Sequence, residues 1–474
     1  MQSSAQPDGS FDVVVIGGGI VGAGTAALAA RLGLRTALLE RADFASGTSS
    51  ASSKLVHGGL RYLRMGDVGL VREALHEARI LRDRVAPHLV HERRFVLPVY
   101  DDGPYGRLAV RAAMTAYGAL ALRRNSVVSA ARARRLAPYL RADGLRAAGV
   151  YRDAQTNDAR LVLANVRAAA DAGAVVLNRC EVVGLERGVV YTSTGLELRA
   201  RHVVNATGAA VDAVRRLEDP HAGTSVALSK GVHLVLDLPP DWNVALTVPV
   251  DAMRVAFAVP WEGMLLLGTT DTPAETAHVT DEDEAQILDE AARALPPQLL
   301  ARDAVRARFA GLRVLPMTAQ STAEARREVT LTRGPLDMVS VAGGKLTTYR
   351  VIARAVLREL GYDVRGTVSP LPGAADPSRV AAELPVEPAL ARHLAHTYGS
   401  LAHEVLATSD DLEQLAPGAP EVAAQVVYAR EREWAVDADD FLRRRTTLAL
   451  RGLATVDVRN RVEALLAGRD VAAR

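Results

Sequence analysis

Phe11-Asp12-Val13-Val14-Val15-Ile16 runs straight into Gly17-x-Gly19-x-x-Gly22, and this junction constrains the fold more than any other feature of the chain. β-Branched residues without polar alternation predict a buried strand. An Ala-rich helix follows to about Leu32, Gly33 ends it, and a second strand from Arg35 to Leu39 finishes on Glu40. Strand, glycine turn, helix, strand and acid in this register open a doubly wound α/β domain that holds a dinucleotide. Gly17 permits the tight turn, Gly19 lets backbone approach a pyrophosphate at the helix N-terminus, and Gly22 permits close helix packing. Glu40 stands where it can accept hydrogen bonds from an adenosine ribose.

At 474 residues the chain exceeds a single core, so two or three domains are expected. A net charge of +2, with no basic run interleaved with aromatics, argues against a nucleic-acid partner. Cys180 is the sole cysteine, which excludes an internal disulfide, fits a reducing compartment and reads as a small packed hydrophobe. Met1 to Ser10 is polar and lacks the pattern of an export signal, and no stretch approaches the roughly 18 apolar residues of a spanning helix. A cytoplasmic location is the expectation.

Beyond Glu40, Asp67 to Ala86 is predicted helical, with Leu70, Ala74, Leu75, Ala78 and Leu81 on one face and Pro87 as the stop. Tyr105 to Leu122 and Asp158 to Ala172 are further helices, Val175 to Thr192 reads as short strands, and Arg201 to Gly208 is a strand entering a glycine turn. Short β-type runs from Ser225 to about Leu315 predict a separate sheet. Leu336 to Val341, Gly343-Gly344 and a helix from about Lys345 to Leu360 repeat the strand, turn and helix order, which suggests that the chain re-enters the first domain. After the boundary at Val368-Ser369-Pro370-Leu371-Pro372-Gly373 the pattern is helical to Arg474.

NAD and FAD share the glycine fingerprint, so the next segment must separate them. Ser46 to Tyr62 packs hydroxyls, small residues, Lys54 and His57 into one flexible run, which suits the ribityl chain and isoalloxazine of FAD better than a nicotinamide. Only three of the 57 basic residues are lysine: Lys54, Lys230 and Lys345. Codon bias aside, these mark positions where a compact tetrahedral charge is needed and arginine's planar fork does not serve. Gly343-Gly344 before a helix offers free N–H groups and a positive helix end for the flavin's pyrimidine edge.

The run Ser52-Ser53-Lys54-Leu55-Val56-His57-Gly58-Gly59-Leu60-Arg61-Tyr62-Leu63 resembles the signature of the FAD-dependent glycerol-3-phosphate dehydrogenase family. Asp158 to Asn165, Asn205-Ala206-Thr207-Gly208, Lys230-Gly231-x-His233, Gly268-Thr269-Thr270-Asp271 and Gly343 to Arg350 follow in the family's order, and Arg392 to Gly399 extends the likeness into the helical tail. Leu315-Pro316-Met317 departs from the Arg-Pro-Leu of many relatives, which touches the local pocket shape.

The resemblance implies an FAD-binding Rossmann-like domain of the glutathione-reductase and D-amino-acid-oxidase type, with an inserted β-rich substrate domain and an all-α C-terminal domain. The expected boundaries are 1–66, 146–222 and 336–368 for the FAD domain, 67–145 and 223–335 for the substrate domain, and 369–474 for the helical domain. The implied reaction is oxidation of sn-glycerol 3-phosphate to dihydroxyacetone phosphate by hydride transfer to flavin N5, with a membrane quinone as acceptor. A hydroxyl-to-ketone oxidation needs a base and cations for the phosphate. His233, Arg313 and Lys345 are the catalytic candidates, and Arg61, Tyr62, Arg313, Arg327 and Lys345 the substrate contacts. The cofactor contacts are Gly17, Gly19, Gly22, Glu40, Thr48, Ser49, Ser53, Lys54, Leu55, His57, Gly59, Gly208, Gly344, Leu346 and Thr347, with no metal. Peripheral attachment to the inner face of the cytoplasmic membrane and a homodimer complete the expectation, and the arginine-flanked helix Tyr105 to Leu122 either lies on lipid or faces the core. The rivals are an oxidase that passes electrons to oxygen and releases hydrogen peroxide, and a flavin-binding protein without turnover.

Overall fold

The predicted buried strand forms the middle of a sheet in the computed structural model, which describes residues 10–317, 329–366 and 368–468. Strand β1 (Ser10–Ile16) pairs in parallel with β2 (Thr36–Leu39) on one side and with Glu197–Asn205 on the other. Val13, Val14 and Val15 have no exposed surface, as a strand covered on both faces requires. Val175–Leu177 extends the sheet beyond β2, and Val339–Ala342 and Thr330–Arg333 extend it beyond Glu197–Asn205.

Helix α1 (Ile20–Arg31) connects β1 to β2 and packs between the helices Asp158–Asp171 and Tyr349–Glu359. Gly22 is required there: a Cβ on it would stand 1.9 Å from the Gly17 carbonyl oxygen. The late strand and helix therefore return to the first domain, as their order in sequence predicts. Lys345 precedes the helix in extended conformation, and a 3-10 turn, Leu346–Thr348, intervenes before Tyr349.

A second sheet is built around Val226–Asp237, which pairs antiparallel with Val305–Pro316 and with Met264–Gly268. Val255–Trp261, Ala245–Pro249, Val90–Tyr100, Leu145–Thr156 and Leu55–Val56 continue it outward. Three assignments differ from the expected boundaries. Residues 146–156 of the strand Leu145–Thr156, together with Leu55–Val56, were placed with the FAD domain by sequence and belong to this second sheet. Thr330–Arg333, placed with the substrate domain, pairs antiparallel with Val339–Ala342 in the first. The physical reason is common to all three: local sequence does not say which edge completes a strand's hydrogen bonds. The β-rich stretch also contains a helix, Asp281–Ala292, announced by the capping box of Thr280 and Asp283.

The helix predicted from Asp67 to Ala86 spans Val68–Ile80, capped by the Asp67 carboxylate on the Leu70 N–H at 3.0 Å, and ends in a wider turn, Leu81–Val85. Arg107–Ala121 buries Val110, Met114 and Tyr117 toward Leu145–Thr156 and leaves Leu108 and Leu122 exposed at its two ends. Its apolar face is thus the core-facing one. Among the described residues no helix is long and apolar enough to cross a membrane.

Residues 377–466 fold into helices around their own apolar clusters, one containing Leu394, Tyr398 and Tyr428, the other Phe441, Leu442 and Val462. This part docks on the first domain through a buried Arg160–Glu433 ion pair of 2.7 Å and through Trp434, edge-on to Phe44 with ring centroids 5.8 Å apart.

Candidate active site

The two sheets, the Ser46 to Tyr62 loop and the turn before Tyr349 enclose a cavity of about 1270 Å³. Gly17, Gly19 and Glu40 line it from the β1–α1 turn. Gly19 caps α1 without a side chain, and the first turn of the helix carries no acid, so its positive end is open to a pyrophosphate. The Glu40 carboxylate accepts hydrogen bonds from the Gly18 N–H at 2.7 Å and the Ala42 N–H at 2.8 Å. Burial pushes its carboxyl up, and those two donors oppose the shift. These groups fit the adenosine diphosphate half of FAD.

Thr48, Ser49, Ser53, Leu55, His57 and Gly59 also line the cavity, as do Gly208, Gly344, Leu346 and Thr347. Several of their polar groups hold the loop in place. Ser49 Oγ accepts from the Ile20 N–H at 3.0 Å, and Thr48 Oγ1 donates to the Leu312 carbonyl at 2.7 Å, tying the loop to one domain and then the other. The Thr347 hydroxyl accepts from the His57 N–H at 3.2 Å. Gly22 stays beneath the turn as a packing residue.

The three lysines separate. Lys54 is 1% exposed and faces away from the cavity: its Nζ donates to Asp158 Oδ1 and to the Ser50 carbonyl, each at 2.6 Å, and lies 5.1 Å from the ring centroids of Trp261 and Phe309. The expected cofactor contact by this side chain is therefore replaced by an anchor under the loop. Lys230 is likewise an internal ion pair, donating to Asp283 Oδ2 at 2.5 Å and to the His278 carbonyl at 3.0 Å. Lys345 alone lines the cavity, with Nζ 3.8 Å from the centre of the Tyr62 ring.

His233, Arg61, Tyr62, Arg313 and Lys345 meet in this one space. The Arg61 guanidinium lies 5.3 Å from the Tyr62 ring centre, so cations approach that ring from two residues. Arg313 Nη2 donates to Thr269 Oγ1 at 2.8 Å, and Nη1 is 3.3 Å from the Lys230 carbonyl and from Asp271 Oδ1. Gly231 makes the room: a Cβ there would stand 2.5 Å from Arg313 Nη2. Arg327 lies outside the described residues.

The His233 ring is stacked on Phe309 at 5.0 Å, and its Nε2 is 2.9 Å from Ser53 Oγ. Nδ1 is buried with no hydrogen-bond partner among the described residues. Burial pushes the imidazole well below its ordinary value, and the charges of Arg313 and Lys54 act in the same direction. A neutral imidazole lining the cavity can take a proton from a bound alcohol. Sequence reasoning gave no role to Phe309 or to Thr269, although Thr269 stands in the quoted Gly268-Thr269-Thr270-Asp271 run. Arg443 and Arg444 also line the cavity, and nothing local separates that arginine run from a solvated helix face.

The Lys54 geometry makes a direct prediction. Lys54→Met leaves Asp158 buried without its cation and lowers the stability of the apoprotein by about 3–5 kcal/mol, measured by urea unfolding. Adding Asp158→Asn restores most of the loss, an outcome that a lysine acting only on the cofactor does not produce.

Residues 12–350 match the family described as FAD dependent oxidoreductase, and residues 366–469 match the C-terminal domain of alpha-glycerophosphate oxidase. The mitochondrial glycerol-3-phosphate dehydrogenase of Homo sapiens is 35% identical over 498 residues, covering 94% of this chain and 68% of that one. The glycerol-3-phosphate dehydrogenase of Synechocystis is 33% identical, covering 93% and 89%. The solved glycerol-3-phosphate dehydrogenase of Bacillus halodurans, complexed with FAD, superposes with a TM-score of 0.76 at 29% identity, covering 98% of this chain and 95% of that one. The chain belongs to the FAD-dependent glycerol-3-phosphate dehydrogenase family.

Proposed function

We propose that the protein oxidises sn-glycerol 3-phosphate at its secondary hydroxyl to dihydroxyacetone phosphate and passes the electrons to a membrane quinone. The observation that carries this reading is the meeting of a buried imidazole, His233, with Arg61, Arg313 and Lys345 in one flavin cavity. Bound FAD supplies the hydride acceptor. His233 takes the hydroxyl proton, and Ser53 Oγ, 2.9 Å from its Nε2, fixes the ring plane. The cations hold the phosphate dianion, with Lys345 as a point charge and the arginines as planar donors. Arg327 is a further proposed phosphate contact.

The quinone is the leading acceptor, and peripheral attachment to lipid belongs to the same reading because a quinone resides there. Exposed Leu108 and Leu122, beside Arg107, Arg123 and Arg124, support a surface that can meet anionic lipid. The alternative is oxygen as acceptor, supported by the match of residues 366–469 to a domain described from an oxidase. Turnover with a soluble quinone analogue under nitrogen, set against peroxide release in air, separates the two. Quinone reduction without stoichiometric peroxide is the expected result.

Anaerobic addition of glycerol 3-phosphate bleaches the flavin, and retention of the oxidised spectrum sinks the catalytic reading. His233→Asn slows the bleaching on the order of 10²- to 10⁴-fold while FAD is retained. The base works only when neutral, so kcat falls as pH drops through its pKa. Because that pKa is depressed, the wild-type rate stays flat from pH 8 to below the roughly 6.5 of an ordinary imidazole, as stopped-flow absorbance will record. Lys345→Arg brings a wider head against the Tyr62 ring and raises KM for the phosphate substrate about tenfold in steady-state kinetics. A near-normal KM would leave the rarity of lysine in this chain to codon usage.

A further inference from the structure

The flavin cavity is not closed by the two sheets alone. Arg443, Arg444 and Leu450, all from the C-terminal helical domain, line it as well. Asp43, three residues beyond Glu40, places the two arginines. It is fully buried and accepts from Arg444 Nε and from both terminal nitrogens of Arg445, one of them at 2.9 Å. Arg445 is itself fully buried, and its Nε donates to the Glu433 carbonyl at 3.1 Å. Arg444 Nη2 reaches Asp440 Oδ1 at 2.6 Å, and Arg179 Nη2 reaches the same oxygen at 2.8 Å. The Arg179 N–H in turn donates to the Ala42 carbonyl at 2.9 Å. The segment 40–44, which carries the ribose-side acid, is therefore bound to residues 440–445 by buried charge on several sides.

Arg443 differs from its neighbours. It is exposed and makes no hydrogen bond or ion pair among the described residues, yet it lines the cavity beside the anchored pair. A guanidinium held there by rigid backbone can stack on an adenine or donate to ribose and phosphate oxygens. The flavin end is marked elsewhere, by His233 and Phe309.

We propose that the C-terminal helical domain is part of the FAD site, with Arg443 contacting the adenosine diphosphate half of the cofactor and the Asp43 ion pairs to Arg444 and Arg445 holding it in position. The domain is then linked to the cofactor: FAD stabilises the docked arrangement in proportion to its occupancy.

The test is Arg443→Ala in the full chain, stripped of flavin and titrated with FAD by quenching of flavin fluorescence, with ADP as competitor. The FAD Kd is expected to rise on the order of five- to tenfold, and the inhibition constant of ADP to rise by the same factor. The apoprotein melts at the wild-type temperature, because the arginine has no protein partner to lose. An unchanged FAD Kd overturns the proposal. So does a rise in the FAD Kd with unchanged competition by ADP, and so does a rise accompanied by a lower melting temperature of the apoprotein.

Discussion

The ion pair between Lys54 and Asp158 carries the site. The loop from Ser46 to Gly59 has little regular structure of its own, and it must run between two domains while its hydroxyl-bearing residues line the cavity. Lys54 fastens it from the side away from the cavity, bridging the loop's own Ser50 carbonyl to the start of the helix Asp158–Asp171. Asp158 takes a second hold through Ser52, whose hydroxyl donates to Oδ2 at 2.6 Å. With both charges out of water, the pair persists only because the ammonium and the carboxylate are each multiply hydrogen-bonded. Ser53 follows directly, which sets the distance from the loop to the His233 ring.

The same lysine contributes to the electrostatics of that ring. Lys54 and Arg313 both disfavour a proton on His233, and stacking on Phe309 removes water from one face. Around this neutral group the cavity is cationic, with Arg61 and Lys345 approaching the Tyr62 ring. A site of this kind attracts an anion without protonating its base, a combination that suits the proposed oxidation of a phosphorylated alcohol.

Much of the architecture was legible in advance because it is local. The run into Gly17, the helix after it and the acid at Glu40 follow from steric and capping rules that act over a few residues, and the glycine pair at Gly343 likewise marks a re-entrant strand and helix. The lysine count singled out three positions, but it could not divide them. Lys54 and Lys230 meet Asp158 and Asp283, which lie 104 and 53 residues away in the chain, whereas Lys345 faces the cavity. Leu145–Thr156 carried no strand pattern in the sequence, and its sheet is decided by Val90–Tyr100 and Leu55–Val56. Arg443 was one arginine among many until Asp43, just beyond β2, drew Arg444 and Arg445 to the cavity's edge.

The sequence by itself determined the dinucleotide turn, the strands and helix that flank it, and the family, because spacing and residue type act through backbone sterics and through short motifs. Only the tertiary structure decided which cations face the cavity, which strands join which sheet, and that Arg443, Arg444 and Leu450 of the C-terminal helical domain line the same cavity. The reason is physical: a buried charge or an open strand edge must find its partner wherever the fold brings one. That partner's identity is a property of the packed molecule and not of the neighbouring residues.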